Sequence, residues 1–103
     1  MKMAKLNEYQ KQERKTWKQE LTMANGMLAQ NRETGVTVVI TPNDKMGGFA
    51  NISIAYCSPG DKFSRKYGEY IALRRWENGE GILVPMYGYT LAQVAYNVTR
   101  ILA

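Results

Sequence analysis

Apolar residues in the first quarter of the chain recur at Leu6, Tyr9, Trp17, Leu21, Ala24 and Leu28, in steps that are multiples of three or four. That spacing lines one face of an α-helix. It predicts a long amphipathic helix from about Ala4 to Asn25 or Leu28, with Gly26 as a stop signal. At 1.5 Å per residue such a helix is roughly 33–37 Å long, more than a small domain needs. Residues 1–30 are therefore expected to project in part from a core at 34–103, or to pack on a partner.

From Gly35 the pattern changes. Val36, Val38 and Ile40 alternate with Thr37 and Thr41, and a turn-rich stretch from Pro42 to Gly48 leads to Phe49–Tyr56, where Ile52, Ile54 and Tyr56 share a face. The period of two and the turn between predict a hairpin with a long loop. Ser58-Pro59-Gly60-Asp61 reads as a helix start, with Ser58 as N-cap, Pro59 at the first helical position and Asp61 closing a capping box. That helix is expected to run to Glu77 and stop at Asn78-Gly79. Ile82–Met86 reads as a short strand whose Pro85 marks an edge or a strand end. Thr90 with Gln93 forms another capping box, followed by an apolar stripe at Leu91, Val94, Ala95, Val98, Ile101 and Leu102. The expected order is α-β-β-α-β-α. This is an α+β fold in which helices cover one face of a small, mainly antiparallel, three-stranded sheet.

With 103 residues, 45% hydrophobic and 22% charged, the chain suits one globular domain rather than a disordered or disulfide-scaffold protein. It has no histidine and one cysteine, Cys57, so histidine acid/base catalysis, Cys-His dyads, Cys/His metal sites and an intrachain disulfide are excluded by inventory. Cys57 reads as a small packed residue at a strand end. The expectation is a non-enzymatic protein with no catalytic, metal or cofactor residues, although nine acidic residues leave carboxylate chemistry arithmetically open. The N-terminus lacks the apolar core of a secretory signal, and the uncharged run 81–99 is interrupted by Pro85, Gly88, Gln93 and Asn97. A cytoplasmic protein without a membrane span is expected.

The net charge is +5, which leans toward an anionic partner. Residues 1–25 carry six cations and three anions, residues 58–78 carry five and three, and the remainder sums to zero. In the first region Lys11, Arg14, Lys15 and Lys18 fall within one helical arc, and the stripe reads either as a phosphate-facing surface or as a solvated face. Glu13 sits inside the apolar arc between Tyr9 and Trp17. A carboxylate there suits a peripheral segment 1–15 that self-associates or binds a partner, or an exposed helical end. In the second region Lys62, Arg65 and Lys66 lie in the first turns of the expected helix, where the macrodipole disfavours cations. An anion site and solvated lysines beside a cap are both open readings. Phe63, Tyr67, Tyr70 and Arg74 share a helical face that reads as core. Arg74, Arg75 and Trp76 have the composition of an interaction hot spot.

The stretch from Ala55 through Cys57-Ser58-Pro59-Gly60-Asp61-Lys62-Phe63, continuing with Arg65-Lys66-Tyr67-Gly68 and Ile71-Ala72-Leu73-Arg74-Arg75, resembles a segment of small accessory proteins of tailed bacteriophages. There a strand ending in "CSPxDxF" precedes a helix with "RKxG" and "IALxR". The resemblance covers about residues 55–75. It implies a protein that works in the host cytoplasm by binding a host protein or nucleoprotein complex, in host takeover or counter-defence. The positive charge speaks against DNA mimicry. The alternative is a sequence-nonspecific DNA- or RNA-binding module, and homo-oligomerisation through the N-terminal helix is a further expectation.

Overall fold

A computed structural model describes residues 5–57 and 64–101. Helix α1 (Glu8–Met23) opens at Asn7. The Asn7 side chain accepts from the Gln10 N–H at 2.8 Å, and the Asn7 N–H donates to the Gln10 side chain at 3.0 Å, a reciprocal cap. The helix closes sharply. Asn25 adopts φ 59°, its N–H donates to the Thr22 carbonyl, and the Gly26 N–H donates to the Leu21 carbonyl at 2.9 Å, the two bonds of a Schellman stop. A Cβ on Gly26 would lie 2.4 Å from Leu21 Cδ1 and 2.7 Å from the Ile40 carbonyl, so glycine is what lets the chain turn tightly into strand β1 (Met27–Asn31).

This corrects the expected helix end. Leu28 lies on β1, and α1 has 16 residues, roughly 24 Å. Leu28 nevertheless meets Leu21 and Trp17 in one apolar cluster, which is why it kept the helical period. Helix α1 meets the body through the Glu13–Tyr70 hydrogen bond, the Arg14–Glu69 pair and the packing of Trp17 and Leu21.

Strands β2 (Val36–Pro42), β3 (Phe49–Tyr56) and β4 (Ile82–Pro85) complete a four-stranded antiparallel sheet in the order β1-β2-β3-β4. The expected three strands gain one at the β1 edge. The β1–β2 turn is held by Asn31, whose side-chain oxygen accepts from the Glu33 and Thr34 N–H groups at 2.9 and 3.2 Å.

The helices cover both faces of the sheet, not one. Val36, Val38 and Ile40 pack with Ala29, Ala50, Ile52, Val94 and Ala95 beneath helix α3 (Leu91–Ile101). Val39 packs oppositely, with Leu21, Ala55, Ala72 and Leu73 of α1, β3 and helix α2 (Arg65–Glu77). The signal was present in Val36–Thr41, an unbroken run of β-branched residues that is buried throughout, as a strand covered on both sides requires.

Helix α2 is capped by Ser64, whose side chain accepts from the Tyr67 N–H at 3.3 Å. It starts at Arg65, later than the expected Ser58 cap. Ser58, Pro59, Gly60, Asp61, Lys62 and Phe63 lie outside the described residues. The helix ends as expected at Asn78, followed by Gly79 at φ 73°. The Thr90–Gln93 box opens α3, with bonds of 2.9 and 3.2 Å.

Candidate partner-binding groove

Glu69 organises the polar side of the molecule. It stands on α2 with its side chain 6% exposed, and Arg14 of α1 donates to its Oε1 from Nε at 3.0 Å and from Nη2 at 2.6 Å. Lys18 Nζ lies 3.6 Å from the same oxygen and Arg65 Nε 3.6 Å from Oε2. Beside it the Tyr70 hydroxyl donates to Glu13 Oε1 at 2.9 Å. The Tyr70 ring stacks on Trp17 at 5.5 Å, and the Arg74 guanidinium sits 5.8 Å from the same ring. Burial, and then the Glu13 carboxylate that accepts its proton, push the Tyr70 hydroxyl above its ordinary value.

These contacts redistribute the predicted site residues. Arg14 is committed to Glu69 and Lys18 leans toward it, whereas Lys15 is exposed and Lys11 pairs with Glu8 at 3.3 Å. Of the four, Arg14 is held inward, while Lys11, Lys15 and Lys18 keep access to solvent. Glu13 fits its apolar arc because Tyr70 of the same chain supplies its partner. Arg74, Arg75 and Trp76 separate likewise. Arg74 lies over Tyr70, the Arg75 guanidinium donates to the Ile54 carbonyl, and Trp76 packs half-buried against the α2-side core. Arg65 and Lys66 are exposed, and Lys62 lies outside the described residues. Sequence reading missed Glu69, although its place four residues after Arg65 is the spacing of a helical ion pair.

The two sheet edges differ. The Cys57 N–H donates to the Gly35 carbonyl at 2.8 Å and the Asn43 N–H to the Phe49 carbonyl at 3.1 Å, so the odd-numbered residues of β2 address β3. Val36, Val38 and Ile40 then address β1, where they oppose Asn31, Ala29 and Met27. The peptide groups of Leu28 and Gln30 consequently point away from the sheet. On the far side, the Met86 N–H donates to the Gly48 carbonyl at 2.8 Å, which turns Val84 and Ile82 toward β3 and Pro85 outward. Pro85 removes a donor from that edge, a familiar protection against strand addition. β1 carries neither proline nor charge within Met27–Asn31 and keeps an unbroken register.

A groove of about 520 Å³ runs along this open edge. Gly26–Gln30 forms its floor, Lys18, Thr22 and Arg65 rise from α1 and α2, and Tyr96 of α3 stands opposite, 56% exposed. Gly68 keeps the α2 wall close, since a Cβ there would meet Thr37 Oγ1 at 2.7 Å. Gln30 bridges strand and helix, donating from Nε2 to Thr37 Oγ1 at 2.8 Å and to the Arg65 carbonyl at 3.0 Å.

Among the described residues no three His, Cys, Asp or Glu side chains are grouped to hold a metal ion, and no helix is long and apolar enough to cross a membrane. Comparison with protein-family models, with curated proteins and with solved structures finds no match to this chain.

Proposed function

We propose that this chain is a small binding protein without chemistry of its own, which docks through the β1 groove on a host protein or nucleoprotein complex and modulates or inhibits it. The observation that carries this reading is the pairing of an open, uncharged strand edge with a groove along it. An edge left unblocked exposes the chain to aggregation unless something occupies it, and the opposite edge of the same sheet is blocked by Pro85. The lack of histidine supports binding over catalysis. The likeness of residues 55–75 to phage accessory proteins supports a host macromolecule as target.

Retention from nuclease-treated host lysate tests the reading, comparing the wild type with Lys18→Glu/Arg65→Glu. A stoichiometric protein held by the wild type and lost by the double variant is expected. Retention of no protein, together with salt-dependent binding to a naked duplex or single strand, overturns the reading and returns the chain to the nucleic-acid class.

A further inference from the structure

We infer that the occupant of the groove is an extended segment of a partner protein that adds to β1 as a fifth strand and alternates acidic with apolar side chains. The inference rests on the docking reading above and names the partner's chemistry.

Three observations fix that chemistry. The outward N–H and C=O groups of Leu28 and Gln30 offer the alternating donors and acceptors that an extended backbone satisfies. Successive side chains of an added strand point to opposite faces. Those beside Leu28 and Gln30 meet the α1/α2 wall, and those beside Ala29 meet Tyr96 on the α3 wall.

The α1/α2 wall carries surplus positive charge. One carboxylate, Glu69, faces three cations, and Arg14 alone donates two hydrogen bonds to it. Lys18 and Arg65 stand at 3.6 Å, with side chains 42% and 78% exposed, so both can turn to an incoming carboxylate while Glu69 keeps its main partner. The wall thus selects acidic side chains, and the Tyr96 wall selects apolar ones.

A second copy of this chain fits worse. Pairing β1 with β1 about a two-fold axis sets Lys18 and Arg65 of each copy on the same face as those of the other, and each chain carries +5. A phosphate backbone fits worse too, because half of the edge groups are carbonyl oxygens.

The test is calorimetric titration of the intact chain with a short capped peptide alternating glutamate and valine, a lysine–valine peptide, and glutamate–valine peptides N-methylated at every second residue in each of the two phases. The glutamate–valine peptide is expected to bind and the lysine–valine peptide not to. One N-methyl phase is expected to abolish binding and the other to preserve it, a readout that leaves the protein unaltered. Lys18→Glu and Arg65→Glu are each expected to weaken the complex about tenfold. No binding, equal binding of both compositions, or indifference to both N-methyl phases overturns the inference. If a host protein is still retained in a Lys18- and Arg65-dependent manner after such a result, strand addition fails while the docking reading stands. If neither binds, both fail.

Discussion

Replacing Arg14 by methionine keeps an unbranched aliphatic side chain at this position and deletes the guanidinium. Glu69, its side chain 6% exposed, then loses two donors at 3.0 and 2.6 Å. Removing one partner of a buried ion pair costs about 3–5 kcal/mol when nothing replaces it. Here Lys18 and Arg65 remain at 3.6 Å, more exposed and less well aligned, so the expected cost falls to about 2–3 kcal/mol. For a domain of this size about 4–8 °C of melting temperature accompanies each kcal/mol, so the variant should melt at least about 8 °C lower by that scale. Urea denaturation followed by tryptophan fluorescence measures this directly, because Trp17 stacks on Tyr70 beside the cluster and Trp76 packs against the same core. The double variant Arg14→Met/Glu69→Gln should cost less than the two single changes together, since the charge that needed a partner has gone. A cost below about 0.5 kcal/mol for Arg14→Met, the level expected of an exposed residue such as Lys15, would refute the docking of α1 through Glu69.

Other perturbations follow from the same geometry. Tyr70→Phe deletes the bond to Glu13 and should cost about 1 kcal/mol at neutral pH. Because the folded Tyr70 holds its proton above the ordinary value of 10.0, the wild type should lose stability as pH rises past that value, and the phenylalanine variant less so, in alkaline melts. Glu77, exposed at the end of α2, is raised above 4.5 by partial desolvation and then by repulsion from Glu20. The folded state thus binds its proton more readily than the unfolded one, and the penalty is present above the raised value and relieved as pH falls toward 4.5. Glu77→Gln should stabilise the fold at neutral pH, with the difference closing in acid melts. Gly68→Ala places a Cβ 2.7 Å from Thr37 Oγ1 and should lower the melting temperature and disturb the Gln30 bridge, visible as shifts of the Gln30 side-chain amide resonances.

Elements whose local chemistry and periodicity agree were legible in the sequence. α3 shows this best, with the Thr90–Gln93 box setting its start and Val94 and Ala95 filling the core. β4 with its outward Pro85 is another. β1 was hidden because Leu28 reaches the same cluster as Leu21 and Trp17, so tertiary packing imitated helical spacing across the Asn25-Gly26 stop. Strand Met27–Asn31 also has no β-branched residue to announce it. Covering on both faces was legible only by giving Thr37 and Thr41 the weight of their β-branches over that of their hydroxyls. The candidate site was less accessible. Basic residues were visible one by one, but which cation meets which carboxylate depends on how α1 crosses α2, and Glu69 lies 55 residues from Arg14. The groove depends on strand order and on which way each peptide group of β1 points, neither of which a linear pattern contains.

Amide hydrogen exchange along β1, recorded by NMR for the chain alone and with the glutamate–valine peptide, tests the central claim most directly. The outward N–H groups of Leu28 and Gln30 should exchange rapidly in the free chain while Met27, Ala29 and Asn31 are protected by β2, and the peptide should slow Leu28 and Gln30 alone within the strand. Protection of Leu28 and Gln30 already in the free chain, or their indifference to bound peptide, would contradict an open strand edge as the site of docking.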